Sequence, residues 1–159
     1  CLRIKVFLRC ISMRKHNPTR YSSAVGECWV HAAFKIKYAH NIFDIYEIRN
    51  AAKALFIKAC KTYNIVWKSI GFDNNHVHAI LDIQNYSRPE AAKLLKGYTA
   101  KKLFKLFPGI KTRYFWGSGL WSPAYYMDSV GKDIEFMQRY VMKQKYAIDG
   151  TAQLKLTSY

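Results

Sequence analysis

His76 and His78 flank Val77 in an apolar run. In an extended strand, residues two apart point the same way. Both imidazoles then leave one face, while Val77, Ala79, Leu81 and Ile83 leave the other as core. Two imidazoles side by side are half of a divalent-metal site. The same spacing fits two half-buried histidines beside a turn, and a chain with five histidines yields such a triplet readily by chance. Further on, Tyr140 and Gln144 are four apart and on a helix would share a face. A phenol and an amide oxygen there supply a nucleophile and a further metal ligand. Twelve tyrosines make that match easy too, and a core aromatic beside a solvated amide is the alternative.

Several elements must position these groups. Alternation over 28–38 and 65–72 predicts two strands, and 76–83 predicts a third that carries the histidine pair. Asp73, Asn74 and Asn75 form the turn before it. Ile48, Ala51, Ala52, Leu55, Phe56 and Ala59 recur at helical spacing within 47–63. Pro89 stands near the start of a second helix that runs to about Phe107, where Pro108 and Gly109 stop it. A turn at 117–119 leads to a strand over 120–129, and the last helix spans 133–146. This order predicts an α+β fold, an antiparallel sheet with helices packed on one face.

The chain has 159 residues, enough for one domain, and 26 Lys plus Arg against 10 Asp plus Glu give a formal net charge of +16. Such an excess attracts polyanions, nucleic acid first among them. No run of about twenty apolar residues exists to span a bilayer. Four cysteines lie far apart without a CxxC pair, which argues against a zinc ribbon and for reduced thiols in a cytoplasmic protein. A chain opening on Cys1 is expected to lack its start or to begin with non-native residues. Lys35, Lys37 and Tyr38 end the first strand, Lys96, Lys101, Lys102 and Lys105 lie on the second helix, and Arg113 follows it. Cations interleaved with Tyr98, Tyr114, Phe115 and Trp116 suit single-stranded DNA, whose phosphates they track and whose bases they stack.

With these residues in view, the chain resembles the single-domain tyrosine transposases of the IS200/IS605 insertion-sequence group, within the HUH endonuclease superfamily. Five segments carry the likeness in order: WVHAAFKIKYAHNIF (29–43), NHVHAILDI (75–83), LLKGYTAKKLF (94–104), LWSPAYYMDSVG (120–131) and RYVMKQ (139–144). The resemblance implies an RRM-like, ferredoxin-type sheet with a catalytic C-terminal helix. It implies a Mg2+ or Mn2+ ion held by His76, His78 and Gln144, with Asp73 as a further ligand or supporting group. Tyr140 would be the nucleophile, leaving a 5′-phosphotyrosine and a free 3′-OH. The partners implied are single-stranded DNA with hairpins near the element ends and a second copy of the chain. In that dimer the sheets join edge to edge, with the 120–129 strand and Trp121 as candidates for the join. The tyrosine helix of one subunit then completes the site of the other.

The implied organisation is an extension over 1–28, the catalytic domain over 29–150 and a tail over 151–159. Lys132 departs from the family pattern, which often has a second glycine after Gly131 as a hinge; a side chain there stiffens the backbone. Two other readings stand beside this one. Tyr140 and Lys143 also fit the Tyr-x-x-Lys of rolling-circle replication initiators. A non-catalytic module with an RRM-like sheet would keep the basic surface without needing His76, His78, Tyr140 and Gln144 together.

Overall fold

A computed structural model describes residues 26–131 and 134–149. Lys132, most of the expected N-terminal extension and the tail lie outside them. The chain runs β1 (Trp29–Lys35), two 3-10 turns (Lys37–Ala39 and Ile42–Asp44), α1 (Tyr46–Thr62), β2 (Val66–Phe72), β3 (His76–Asp82), α2 (Arg88–Leu106), α3 (Pro108–Phe115), β4 (Tyr126–Ser129), α4 (Ile134–Met142) and β5 (Ile148–Asp149).

The strands form one antiparallel sheet in the order β4-β1-β3-β2-β5. The α+β class read from the sequence is the observed one. β1 and β3 pair along their whole length, from Trp29 opposite Asp82 to Lys35 opposite His76. That register places Val77, Ala79, Leu81 and Ile83 in the main core, with Phe34, Phe56 and Phe72. Phe43 packs edge-on to Phe72 at 5.0 Å. Burying one such phenylalanine contributes about 1.5–3 kcal/mol. α1 and α2 cover this face, and α2 starts on a capping box between Ser87 and Glu90.

The helices do not all pack on one face. Ile134, Met137 and Val141 form a stripe at helical spacing along α4, and it closes on Ile80, Val130 and Trp29 on the opposite face of the sheet. α4 therefore lies over the strand face that carries the histidines.

Three other expectations change. Pro108 starts α3 instead of ending the helical region, because a proline at a helix's first position loses no needed N–H. The strand over 120–129 shrinks to Tyr126–Ser129, and Trp121 makes only an isolated bridge to Ile36, just past β1. Trp121 is only 8% exposed and its Nε1 donates to Thr99 Oγ1 at 2.9 Å, so it belongs to the core and not to a sheet edge. α4 ends at Met142, leaving Gln144 beyond the helix, because the chain is drawn onto β2 by Tyr146 N–H donating to Phe72 O at 2.9 Å.

Candidate catalytic site

Three histidines, not two, share the face beneath α4. Pairing sets Ala33 and Gly71 opposite His78, Lys35 opposite His76, and His31 opposite Ile80, so all of these side chains share one side. His31 Nε2 lies 2.9 Å from His78 Nδ1, and the two rings stack with centroids 5.1 Å apart. His31 was missed in the sequence. Its alternation with Lys35 placed it on one face of β1, but nothing in the chain fixes which face of β3 that face joins.

His76 stands where β3 begins. Its Nδ1 is 2.9 Å from Asn75 Oδ1, and Asn75 Nδ2 donates to Ala39 O at 3.2 Å. The Ala39 carbonyl orients the amide so that its oxygen faces the ring. His76 Nδ1 then donates to that oxygen. Asp73 Oδ2 lies 4.0 Å from His76 Nε2, while Asp73 Oδ1 accepts from the Asn74 N–H at 2.8 Å. Burial, with the charges of His31 and His76, pushes the His78 pKa down to about 4, and burial lowers His31 too. His78 is therefore neutral at neutral pH.

α4 brings the other half of the site. The Tyr140 ring stands edge-on to His78 at 5.7 Å and to His31 at 5.9 Å, and the residue is 44% exposed. Gln144 reaches the sheet against Gly71, the residue paired with His78, through the turn after α4, where its N–H donates to Val141 O at 3.1 Å. Gly71 makes this approach possible. A Cβ there would lie 2.6 Å from Val141 O and 2.7 Å from Gln144 Cβ. The turn is pinned from both sides. Arg49 lies over the Tyr146 ring at 3.6 Å, and Lys145 Nζ donates to Asn74 Oδ1 at 3.2 Å. Within this single chain, α4 brings Tyr140 to the face that carries the histidines.

The donor set suits a divalent ion. Among the described residues no three His, Cys, Asp or Glu side chains form a cation cage, so the imidazole pair needs an amide oxygen such as that of Gln144, or a bound phosphate, to complete it. Each Nδ1 is held from behind, His76 by Asn75 and His78 by His31. Such partners orient ligating imidazoles and leave Nε2 outward. For His78 this holds when its Nδ1–H donates to His31.

The candidate DNA contacts fall on two surfaces. Lys35, Lys37 and Tyr38 lie at the β1 end beside His76. Lys101, Lys102 and Lys105 are exposed on α2, in the layer behind the sheet, and Arg113 lies on α3. Lys96 differs from the rest. Its ammonium donates to Ser122 O at 2.7 Å and Pro123 O at 3.0 Å, so it ties the loop before β4 to α2.

Residues 24–144 match the family described as "Transposase IS200 like". The ISDra2 transposase TnpA of Deinococcus radiodurans is 27% identical over 118 residues, spanning 72% of this chain and 81% of that protein. The transposase for insertion sequence element IS200 of Salmonella typhimurium is 29% identical over 118 residues, spanning 74% and 76%. A solved structure from D. radiodurans R1 superposes with a TM-score of 0.64 at 23% identity, covering 79% of this chain and 97% of that one. A REP-associated tyrosine transposase bound to a REP hairpin gives 0.52 at 12%, covering 77% and 70%. The chain belongs to the IS200-like transposase family. Among the described residues, no helix is long and apolar enough to cross a membrane.

Proposed function

We propose that this transposase cleaves and rejoins single-stranded DNA through Tyr140. The observation that carries the reading is the Tyr140 ring against His78 and His31, on the strand face that also carries His76. The Tyr140 hydroxyl attacks the scissile phosphorus, and the bond from phosphorus to the 3′ oxygen breaks. The 3′ oxygen leaves as a free 3′-OH after taking up a proton, and the 5′ side stays joined to the tyrosine. This link conserves the ester, so a different 3′-OH reverses the step and joins new ends without ATP.

His76, His78 and Gln144 would hold Mg2+ or Mn2+, with Asp73 beside His76 as a fourth group. When bound, such an ion polarises the phosphate and orients it for in-line attack. The catalytic unit is residues 29–150, acting in the cytoplasm on hairpin-bearing element ends. A dimer would form through the outer edge of β4, which no strand among the described residues covers. The REP-bound relative supports hairpin recognition. Replication initiators of the same superfamily share this chemistry, and the family match favours transposition over replication.

The test is a cleavage assay on single-stranded DNA from the two flanks of the gene, with Mg2+ or with a chelator. A covalent protein–DNA adduct that needs the ion is expected. No adduct on either flank contradicts the enzymatic reading, and an adduct that survives chelation removes the role given to His76 and His78.

A further inference from the structure

At the end of β1 the backbone takes a rare path. Tyr38 has φ 60 and Ala39 φ 56, and across from them Trp116 caps α3 with φ 45. None of the three is glycine, so each holds a left-handed conformation that L side chains disfavour. Such outliers concentrate at functional sites. Here they present two rings to solvent. Trp116 is 75% exposed and Tyr38 52%, with centroids 5.4 Å apart at 59°. His40 lies beneath, 6.0 Å from Tyr38 and 6.4 Å from Trp116. The support is firm. Lys37 donates to Ser118 Oγ, the Lys37 N–H donates to Leu120 O at 2.9 Å, and Lys37 Nζ stands 5.1 Å from the Tyr38 ring centre.

We infer that Trp116 and Tyr38 form a stacking platform for one unpaired base of the DNA strand, a few nucleotides from the bond that Tyr140 attacks. This deepens the proposed function and rests on it. The rings stand too close and too tilted to admit a base between them, so the base lies on the open face of Trp116 and Tyr38 braces its edge. The occupant follows from charge as well as shape. In a chain of net charge +16 the Lys37 cation stands against the platform, and Arg113 lies 5.5 Å from the ring centre of neighbouring Tyr114. Exposed aromatics among cations are how sequence-tolerant single-strand sites are built. The platform is also tied to the catalytic face. Ala39 O accepts from Asn75, whose oxygen holds His76, and the Ile36 N–H donates to Asn75 O at 2.8 Å.

The test uses Tyr140→Phe protein, which blocks the proposed cleavage, and fluorescein-labelled oligo(dT) read by anisotropy over a salt series. Trp116→Ala and Tyr38→Ala are expected to weaken binding about five- to a hundredfold at each salt concentration, without changing the salt slope. Trp116→Phe should recover most of the loss. Oligo(dT) carrying 5-iododeoxyuridine should photocrosslink to the peptide holding Trp116 or Tyr38. Wild-type affinity in both alanine variants, or crosslinks on α2 peptides alone, overturns the platform and leaves the transposase reading standing. Failure of the parent protein to bind any single strand overturns both.

Discussion

At the scale of single residues, the site depends on what stands behind each imidazole. His31 buttresses His78 as Asn75 buttresses His76, and removing such a partner typically costs about 10–100-fold in metal affinity. His31→Ala should weaken Mn2+ binding by that order in calorimetry, with the fold retained in circular dichroism; unchanged affinity would show that His78 needs no support. The same burial sets a pH dependence. His78 is held near 4 when folded, against an ordinary value of 6.5, and His31 is lowered too. A depressed histidine resists protonation only in the folded state, so the unfolded chain binds more protons below about 6.5. Stability should therefore fall as pH drops from 6.5 toward 4, with no further loss from His78 below that. Urea unfolding at pH 7.5, 6 and 5 checks this, and a His31→Ala, His78→Ala double variant should show a smaller decline. An equal or larger decline in the double variant contradicts the assignment. The shared face of His76 and His78 was legible from their spacing, while the roles given to His76, His78 and Tyr140 came from the five matching segments in order. His31 was not legible, because its contact with His78 exists only through strand register.

At the scale of elements, the site is assembled by a helix seated on a strand with no side chain in the way. Gly71→Ala would force a Cβ against Val141 O and Gln144, so α4 must lift or shift. The expected result is loss of Tyr140-dependent adduct by tenfold or more, with a stability cost of about 1–3 kcal/mol for overpacking. Activity equal to wild type would mean that α4 need not sit where it does. The strands β1, β2 and β3 and helices α1 and α2 could be read from the pattern of apolar residues and the turns between them. The side of the sheet that α4 takes could not. Its stripe of Ile134, Met137 and Val141 is visible in the chain, but Ile80 and Val130, its partners, are set by pairing. Gln144 misled for a related reason. Four residues after Tyr140 it looked helical, and the backbone bond from Tyr146 to Phe72 ends the helix before it.

At the scale of the whole molecule, charge and the seam between two layers decide what the protein meets. Cations at the β1 end and on the back of α2, in a chain of net charge +16, predict strongly salt-dependent binding of single strands. Affinity should fall by about three orders of magnitude or more between 50 and 200 mM salt if six or more phosphates are contacted. A nearly flat salt profile would argue against a strand that tracks these cations. The two layers meet at Tyr140, where a helix from one face brings a phenol to histidines fixed by the sheet. Its substitution is the sharpest probe of the account. Wild type and Tyr140→Phe should each be incubated with end-labelled single-stranded DNA from the flanks of the gene and Mg2+, and any adduct resolved under denaturing conditions and mapped by mass spectrometry. The account predicts an adduct on the Tyr140 peptide of wild type and none with the phenylalanine variant; an adduct that Tyr140→Phe still forms would contradict it.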